Sequence, residues 1–119
     1  MGRIAYTVTA IIPTPESARE YVDWLLRGHL AEVLAGGALS AEVIGPIENG
    51  AKAGDSSGLT FDGIVIETRY TFATLSAFRS YEQEHAPRLR AEGLKKFGPE
   101  RRIRFERRLG EVLDRPSGN

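Results

Sequence analysis

The sequence predicts an α+β domain built on one antiparallel sheet, and three observations support this fold class. Four segments alternate apolar and polar residues with a period of two, which is typical of strands that bury one face. Two other segments place apolar residues three and four positions apart, which is typical of amphipathic helices. The six segments follow one another as strand, helix, strand, strand, helix, strand.

The first strand and the first helix take up the first third of the chain. Residues 3–12 alternate, and Pro13 ends the strand. Thr14 suits the N-cap of a helix that runs to Gly36-Gly37, where glycine can adopt the left-handed conformation that closes a helix. Plotted at about 100° per residue, one apolar face of this helix consists of Ala18, Val22, Leu25, Leu26, His29, Leu30 and Val33. Trp24 falls almost opposite that face.

Two strands follow, separated by a polar stretch. Leu39–Ile47 is predicted to be the second strand, closed by Gly45-Pro46. Glu48–Thr60 is rich in glycine and short polar residues, so we expect a mobile hairpin loop. Asp62–Phe72 has the clearest alternation in the chain and is predicted to be the third strand.

The second helix is predicted to begin at Thr74 or Ser76, either of which can cap it. One face of this helix carries Phe78, Tyr81, His85 and Leu89. Pro87 interrupts the pattern, so we expect a new helical segment to begin there and to run to Lys96.

The last strand is predicted at Arg101–Leu109, after a stop at Phe97-Gly98-Pro99. The complete order βαββαβ is the ferredoxin-like arrangement, a four-stranded antiparallel sheet with two helices on one face. Right-handed crossovers place the first and third strands at its centre. Residues 1–112 are therefore predicted to form a single domain, and residues 113–119 a flexible C-terminal tail.

Composition narrows the classes of function. The chain has 119 residues, with 16 basic and 16 acidic side chains, and it contains no cysteine. A nucleic-acid-binding domain would normally carry a basic excess, so we expect no nucleic-acid partner. No apolar run is long enough to span a membrane, and we expect a cytoplasmic protein with no thiolate chemistry. The two histidines and scattered carboxylates match no metal-ligand spacing, so no metal site is predicted.

Two helices would leave one face of the sheet bare. By alternation this face would carry Thr7, Thr9, Glu67, Arg69, Thr71, Arg102, Arg104, Glu106 and Arg108. Such a face can remain in water, with cross-strand ion pairs. Alternatively, two copies can bring these faces together and enclose a polar cavity. An exposed Trp24 would favour association, although it could instead lie under a loop or the tail.

Two segments have a specific pattern of residues: WLLRGHLAEVLAGG, from Trp24 to Gly37, and YEQEHAPRLR, from Tyr81 to Arg90. In these and other segments the chain resembles a small bacterial family of uncharacterised domains in the dimeric α/β-barrel superfamily. The resemblance covers Tyr6 to Val112, although a histidine that family members often carry near Gly93 is missing. It implies a homodimer whose two sheets form a barrel. That superfamily includes cofactor-free monooxygenases of antibiotic biosynthesis, polyketide cyclases, lactone isomerases and haem-degrading enzymes, with a pocket between sheet and helices.

The candidate catalytic residues are His29 and His85, because imidazole titrates near neutral pH and each histidine lies on an apolar helix face beside a helix interruption. The candidate substrate-binding residues are Tyr6, Tyr70, Arg69, Tyr81 and Trp24. We expect a cofactor-independent cyclase, isomerase or monooxygenase acting on an aromatic or polyketide-like molecule. The alternative is a non-catalytic ligand-binding or interaction module in which both histidines are structural.

Overall fold

A computed structural model describes residues 2–47, 59–60 and 63–113, and these form an antiparallel sheet packed against helices. The strands are β1 (Ile4–Ile12), β2 (Ser40–Ile44), β3 (Leu59–Thr60), β4 (Gly63–Phe72) and β5 (Arg104–Glu111). Their order across the sheet is β2-β4-β1-β5, with the two-residue β3 paired to β4. The ferredoxin-like fold predicted from the sequence is confirmed, with β1 and β4 at the centre.

The pairing register decides which side chains face the helices. In β1, Tyr6 lies opposite Tyr70 of β4, and Val8 lies opposite Arg107 of β5. These positions share the helix-covered face. The intervening positions, such as Thr7 opposite Arg69, lie on the bare face. The polar face predicted by alternation is therefore present, and on it Arg69 pairs with Glu67 at 3.2 Å.

The first helix is not the continuous helix that the sequence predicts. It consists of α1 (Pro15–Trp24), a π-helical turn (Leu25–His29) and α2 (Leu30–Ala35). Thr14 caps α1 as predicted, accepting the Ser17 N–H at 3.1 Å. In the π turn the Leu30 N–H bonds to the Leu25 carbonyl, five residues back. This turn holds one more residue than an α turn and changes the phase of the helix.

Because of this change of phase, the buried face of the first helix differs from the face predicted. Tyr21 is buried, although the predicted face omits it, and Leu26 is 65% exposed, although the predicted face includes it. Leu25 and Val33 are buried on either side of the π turn. A helical plot at a constant 100° per residue cannot reproduce this pattern.

The second helical region breaks where Pro87 predicts a break. Helix α3 (Leu75–Glu84) is capped by Thr74, which accepts the Ala77 N–H at 3.0 Å. Helix α4 (Ala86–Lys96) follows, and His85 at the junction has φ −120° and ψ −40°, outside the helical region. A short 3₁₀ turn at Pro99–Arg101 leads into β5.

Other element boundaries also differ from the prediction. The last strand begins at Arg104, because Arg102 has the left-handed φ of 58° and ends the 3₁₀ turn. Leu59–Thr60, predicted as loop, forms β3. Residues 48–58 of that loop, and residues 114–119 of the predicted tail, lie outside the described residues. Among the helices described, none has both the length and the apolarity that crossing a membrane requires.

The core has two clusters on the helix-covered face of the sheet. One is built around Phe72, Phe78 and Tyr81, beneath α3 and α4. The other is built around Leu25 and Phe97, beneath α1 and the π turn. Aromatic side chains, such as Tyr6 and Tyr81 of the first cluster and Tyr21 and Phe97 of the second, dominate the zone where the two clusters meet.

Candidate functional site

A cavity of about 270 Å³ lies between the sheet and the helices, where the two core clusters meet. Its walls come from β1, β4 and β5 on one side and from the helices on the other. The residues that line it are Tyr6, Val8, Tyr21, Trp24, His29, Tyr70, Tyr81, Leu89, Arg90, Gly93, Leu94, Phe97, Phe105 and Arg107. The lining is therefore mainly aromatic with a few polar groups, as small-molecule sites commonly are.

All four tyrosines of the chain line this cavity. Tyr6 and Tyr70 come from neighbouring strands and stack with ring centroids 5.9 Å apart. Tyr21 projects from α1 and Tyr81 from α3. Four separate elements thus bring phenol groups to one place. Phenylalanine would fill the same space without the hydroxyl groups, so packing alone does not require them.

The phenols of Tyr21, Tyr70 and Tyr81 are neutral hydrogen-bonding groups at physiological pH. Burial raises the pKa of Tyr21 and of Tyr81 to about 12, and it raises the pKa of Tyr70 further. Desolvation is the cause, because removing water disfavours the phenolate. Each phenol can therefore donate one proton in a hydrogen bond to a bound molecule.

A buried hydroxyl lies beside Tyr21. Thr68, on β4, is fully buried, and its interaction with the Tyr21 phenol opposes the rise of that pKa in part. Thr68 Oγ1 nevertheless has no partner at hydrogen-bond geometry among the described residues. Burying a hydroxyl without a well-formed hydrogen bond is unfavourable, so Thr68, which lies next to the cavity residue Tyr21, lowers the stability of the fold.

His29 and Trp24 form a stacked pair in the cavity wall. Their ring centroids are 4.2 Å apart with an interplanar angle of 21°. Burial lowers the pKa of His29 to about 4, and Glu92 opposes the change only weakly. The imidazole is therefore neutral at pH 7. It makes no hydrogen bond to any other residue in the described ranges, so its nitrogens are available to a ligand.

Two arginines complete the polar lining. Arg90 projects from α4, and its Nη2 donates to the Tyr6 hydroxyl at 3.5 Å, a long hydrogen bond that raises the pKa of the guanidinium. Arg107 projects from β5, with its guanidinium carbon 5.8 Å from the centre of the Phe105 ring. No aspartate or glutamate is among the described residues that line the cavity.

Five of the seven residues proposed from the sequence meet in this cavity: Tyr6, Tyr70, Tyr81, Trp24 and His29. His85 and Arg69 do not line it. The His85 ring packs near Gly36 and parallel to Tyr81, 6.4 Å away, because it follows the end of α3. Arg69 is on the bare face with its side chain 52% exposed. The cavity therefore contains His29 and not His85.

Sequence reasoning missed Tyr21, Arg90 and Arg107. The signal for Arg107 was present, since it falls between Phe105 and Leu109 on the apolar side of an alternating strand. Tyr21 lies three residues after Ala18 and four before Leu25, which is helical spacing. Arg90 gives no local signal, because a basic residue beside a buried leucine is ordinary on a surface helix.

Solved structures with similar folds include proteins of several kinds. A dimeric ferredoxin-like protein from an uncultured marine organism aligns over 98% of this chain and 100% of its own, with a TM-score of 0.66 at 12% identity. SnoaB, a cofactor-independent oxygenase from Streptomyces nogalater, aligns over 97% of both chains, with a TM-score of 0.60 at 11% identity. A protein of the ethyl tert-butyl ether degradation (EthD) family from Bacillus halodurans covers 92% of this chain and 99% of its own, with a TM-score of 0.57 at 12% identity.

At these identities the similarities establish the fold and not a shared reaction. No curated protein matches the sequence. A family model described as a domain of unknown function, DUF4286, matches residues 3–112, which span all the strands and helices described above. The chain therefore belongs to the DUF4286 family.

Proposed function

We propose that this protein binds a small aromatic or polyketide-like molecule in the tyrosine-lined cavity and acts on it without a cofactor. The observation that carries the proposal is the convergence of all four tyrosines, the single tryptophan and a neutral histidine on one cavity. Flat aromatic rings favour a flat ligand, because offset stacking adds to simple burial. Phenol donors suit the carbonyl and hydroxyl groups of such molecules.

In the proposed reaction, His29 accepts a proton from the substrate and the phenols stabilise the resulting oxyanion. A pKa of about 4 makes His29 a weak base before the reaction begins. A negative charge that develops on a nearby substrate would favour the imidazolium and strengthen the base during proton transfer. Tyr6, Tyr70 and Tyr81 would donate hydrogen bonds to the oxyanion, and Trp24 would stack on the substrate. Proton abstraction of this kind can begin an isomerisation, a cyclisation or a reaction with oxygen.

The similarity of fold to SnoaB, which is named as a cofactor-independent oxygenase, is compatible with this reaction class. Identity of 11% carries no catalytic residue from one chain to the other. The proposal therefore rests on the cavity of this chain. His85 and Arg69 lie outside that cavity, so the proposal assigns them no contact with the substrate.

A non-catalytic ligand-binding module is the second candidate, and the low pKa of His29 favours it. An imidazole with a pKa of about 4 can serve simply as a neutral hydrogen-bond acceptor. Under this alternative the same molecules bind but leave unchanged.

We also propose that the protein is a homodimer formed through the bare face of the sheet. Thr7, Arg69 and Glu67 lie on that face, and no described helix covers it. Two similar structures are named as dimeric ferredoxin-like proteins. Sedimentation velocity tests this proposal, because a monomer at micromolar concentration would contradict it.

A thermal-shift screen against aromatic acids, phenols, polyketides, lactones and haem tests the main proposal, since a ligand that binds only the folded state raises the Tm. Quenching of the single tryptophan then reports whether a hit binds beside Trp24. Product formation should be lost in H29Q and retained in H85Q, which removes the histidine outside the cavity. Binding without turnover in the wild type supports the second candidate. If no compound in the screen binds, both candidates are contradicted.

A further inference from the structure

We infer that the ligand of the cavity is an aromatic carboxylate whose anionic group is held by Arg90 and Arg107. This inference rests on the proposed function, because it names the class of molecule that the tyrosine-lined cavity takes. Neither arginine was among the residues singled out from the sequence. Three features support the inference: the placement of the two arginines, their lack of ion-pair partners among the described residues, and the aromatic character of the surrounding walls.

The two guanidiniums reach the same cavity from opposite sides. Arg107 belongs to β5 and lies on the helix-covered face of the sheet, opposite Val8 of β1. Arg90 belongs to α4 and contacts the Tyr6 hydroxyl at 3.5 Å. Because that hydroxyl accepts a hydrogen bond from Arg90, its own proton can point toward a ligand. Arg90 and Tyr6 thus present a pair of donors.

Neither arginine forms an ion pair with a residue in the described part of the chain. Arg88, two residues before Arg90 in the same helix, pairs with Glu32 at 3.5 Å and with Glu92 at 3.3 Å. Arg101 pairs with Glu20 at 2.7 Å. Carboxylates therefore pair with Arg88 and Arg101, whereas neither arginine of the cavity forms such a pair among the described residues, although the charge of Glu82 also acts on Arg90.

The electrostatic effects of the two arginines meet on one phenol. Both Arg90 and Arg107 act to lower the pKa of Tyr81, although burial dominates and the net pKa is raised. Each positive charge is therefore close enough to influence the same side chain. An anion placed beside Tyr81 would feel both charges.

The planar guanidinium matches a planar carboxylate, which it can bind through two parallel hydrogen bonds. The aromatic remainder of the ligand would lie against Trp24 and the tyrosine rings. A neutral aromatic molecule would leave both guanidiniums without an anionic partner in the cavity. The charge of the site therefore selects an acid over its neutral analogue.

Isothermal titration calorimetry with 2-naphthoate and 2-naphthamide tests the inference, because the two have nearly the same shape and differ in charge. We expect naphthoate to bind the wild type at least about tenfold more tightly than naphthamide, since one charged hydrogen bond contributes that much. R90Q and R107Q should each weaken naphthoate binding by about tenfold or more and leave naphthamide binding within about twofold.

R79Q is the control. Arg79 is an exposed residue of α3 that does not line the cavity and does not lie on the bare face of the sheet, so its loss removes the same charge away from both. We expect less than about a twofold change in naphthoate affinity. An equal loss in R79Q and R107Q would overturn the inference, because it would reveal only long-range attraction.

Equal affinity of the wild type for naphthoate and naphthamide would also overturn the inference, while the proposed function would stand. Failure of both compounds to bind would overturn it as well. The proposed function would then depend on the wider screen, which contains neutral phenols, lactones and polyketides. The proposed function would be contradicted only if none of those neutral compounds bound. The two failures are therefore distinguishable.

Discussion

The ionisation of His29 makes stability depend on pH in a way that can be measured. In the unfolded chain this imidazole has the ordinary pKa of 6.5, and in the folded protein its pKa is about 4. The folded state therefore binds fewer protons than the unfolded state between these two values. The contribution of the neutral His29 imidazole to the free energy of unfolding is fully present above pH 6.5 and is lost as the pH falls toward 4.

The magnitude follows from the difference between the two pKa values. At pH 5 the unfolded imidazole lies 1.5 units below its pKa of 6.5 and is almost fully protonated, whereas the folded one remains largely neutral. At roughly 1.4 kcal/mol per unit, this reduces the free energy of unfolding by about 2 kcal/mol relative to pH 7. Carboxylates also begin to titrate in this range, so the wild type alone does not isolate the effect.

The variant H29Q isolates it, because glutamine keeps hydrogen-bonding capacity and does not titrate. Urea unfolding followed by far-UV circular dichroism gives the free energy of unfolding of both proteins at pH 7 and at pH 5. We expect the wild type to lose about 2 kcal/mol more than H29Q over this interval. H85Q retains His29 and should therefore retain this excess loss.

An NMR titration of the imidazole Cε1–H gives an independent measurement. The resonance that is missing from H29Q should titrate with a midpoint near 4. A midpoint near 6.5, or an excess loss of less than about 0.5 kcal/mol between pH 7 and pH 5, would refute the reasoning. It would mean that water reaches the ring and that the cavity does not shield it.

Four further predictions concern stability, and each is checked by urea unfolding at pH 7. G93A should raise the free energy of unfolding by up to about 1 kcal/mol, since alanine is more favourable than glycine in the interior of α4 and its Cβ would meet Trp24 at an ordinary 3.4 Å. G36A should lower the free energy of unfolding by about 1–3 kcal/mol, because its Cβ would lie 3.0 Å from Tyr81. T68V should raise stability by about 1 kcal/mol by removing a buried hydroxyl that lacks a well-formed hydrogen bond, and a fall of that size would reveal a hydrogen bond instead. T74A should lower stability by about 1 kcal/mol through loss of the α3 N-cap, whereas S76A, within the first turn, should have little effect.

The parts of the fold that local chemistry determines could be predicted from the sequence. Thr14 and Thr74 cap their helices as expected, because an N-cap needs only a side-chain oxygen and the N–H groups of the next turn. The break before Pro87 follows from the missing N–H and the ring of proline, which fit the first turn of a helix and not its interior, and Pro87 indeed lies in the first turn of α4. Alternation in β4 gave the correct buried face because strand periodicity is insensitive to small boundary errors.

The parts that depend on long-range packing could not be predicted in the same way. Arg90 reaches Tyr6, 84 residues away in sequence, and nothing near Arg90 specifies that partner. His85 and His29 look alike in the sequence, since each lies beside a helix interruption. Only the path of the chain places one of them in the cavity and the other beside Gly36. The placement of His29, and not of His85, in the cavity therefore required the tertiary structure.

One extra residue in the first helix changes the direction in which Trp24 points relative to His29. Residues five apart in a regular α-helix lie about 140° apart around the axis, so Trp24 and His29 would point in different directions. The π turn at Leu25–His29 brings them into a stack at 4.2 Å, while Leu25 and Val33 both remain buried. Core packing alone does not require this turn, because a continuous α-helix can bury one stripe along its whole length. π turns occur often at functional sites. Here the turn delivers an indole and an imidazole together to the cavity wall, which is what the proposed aromatic ligand requires.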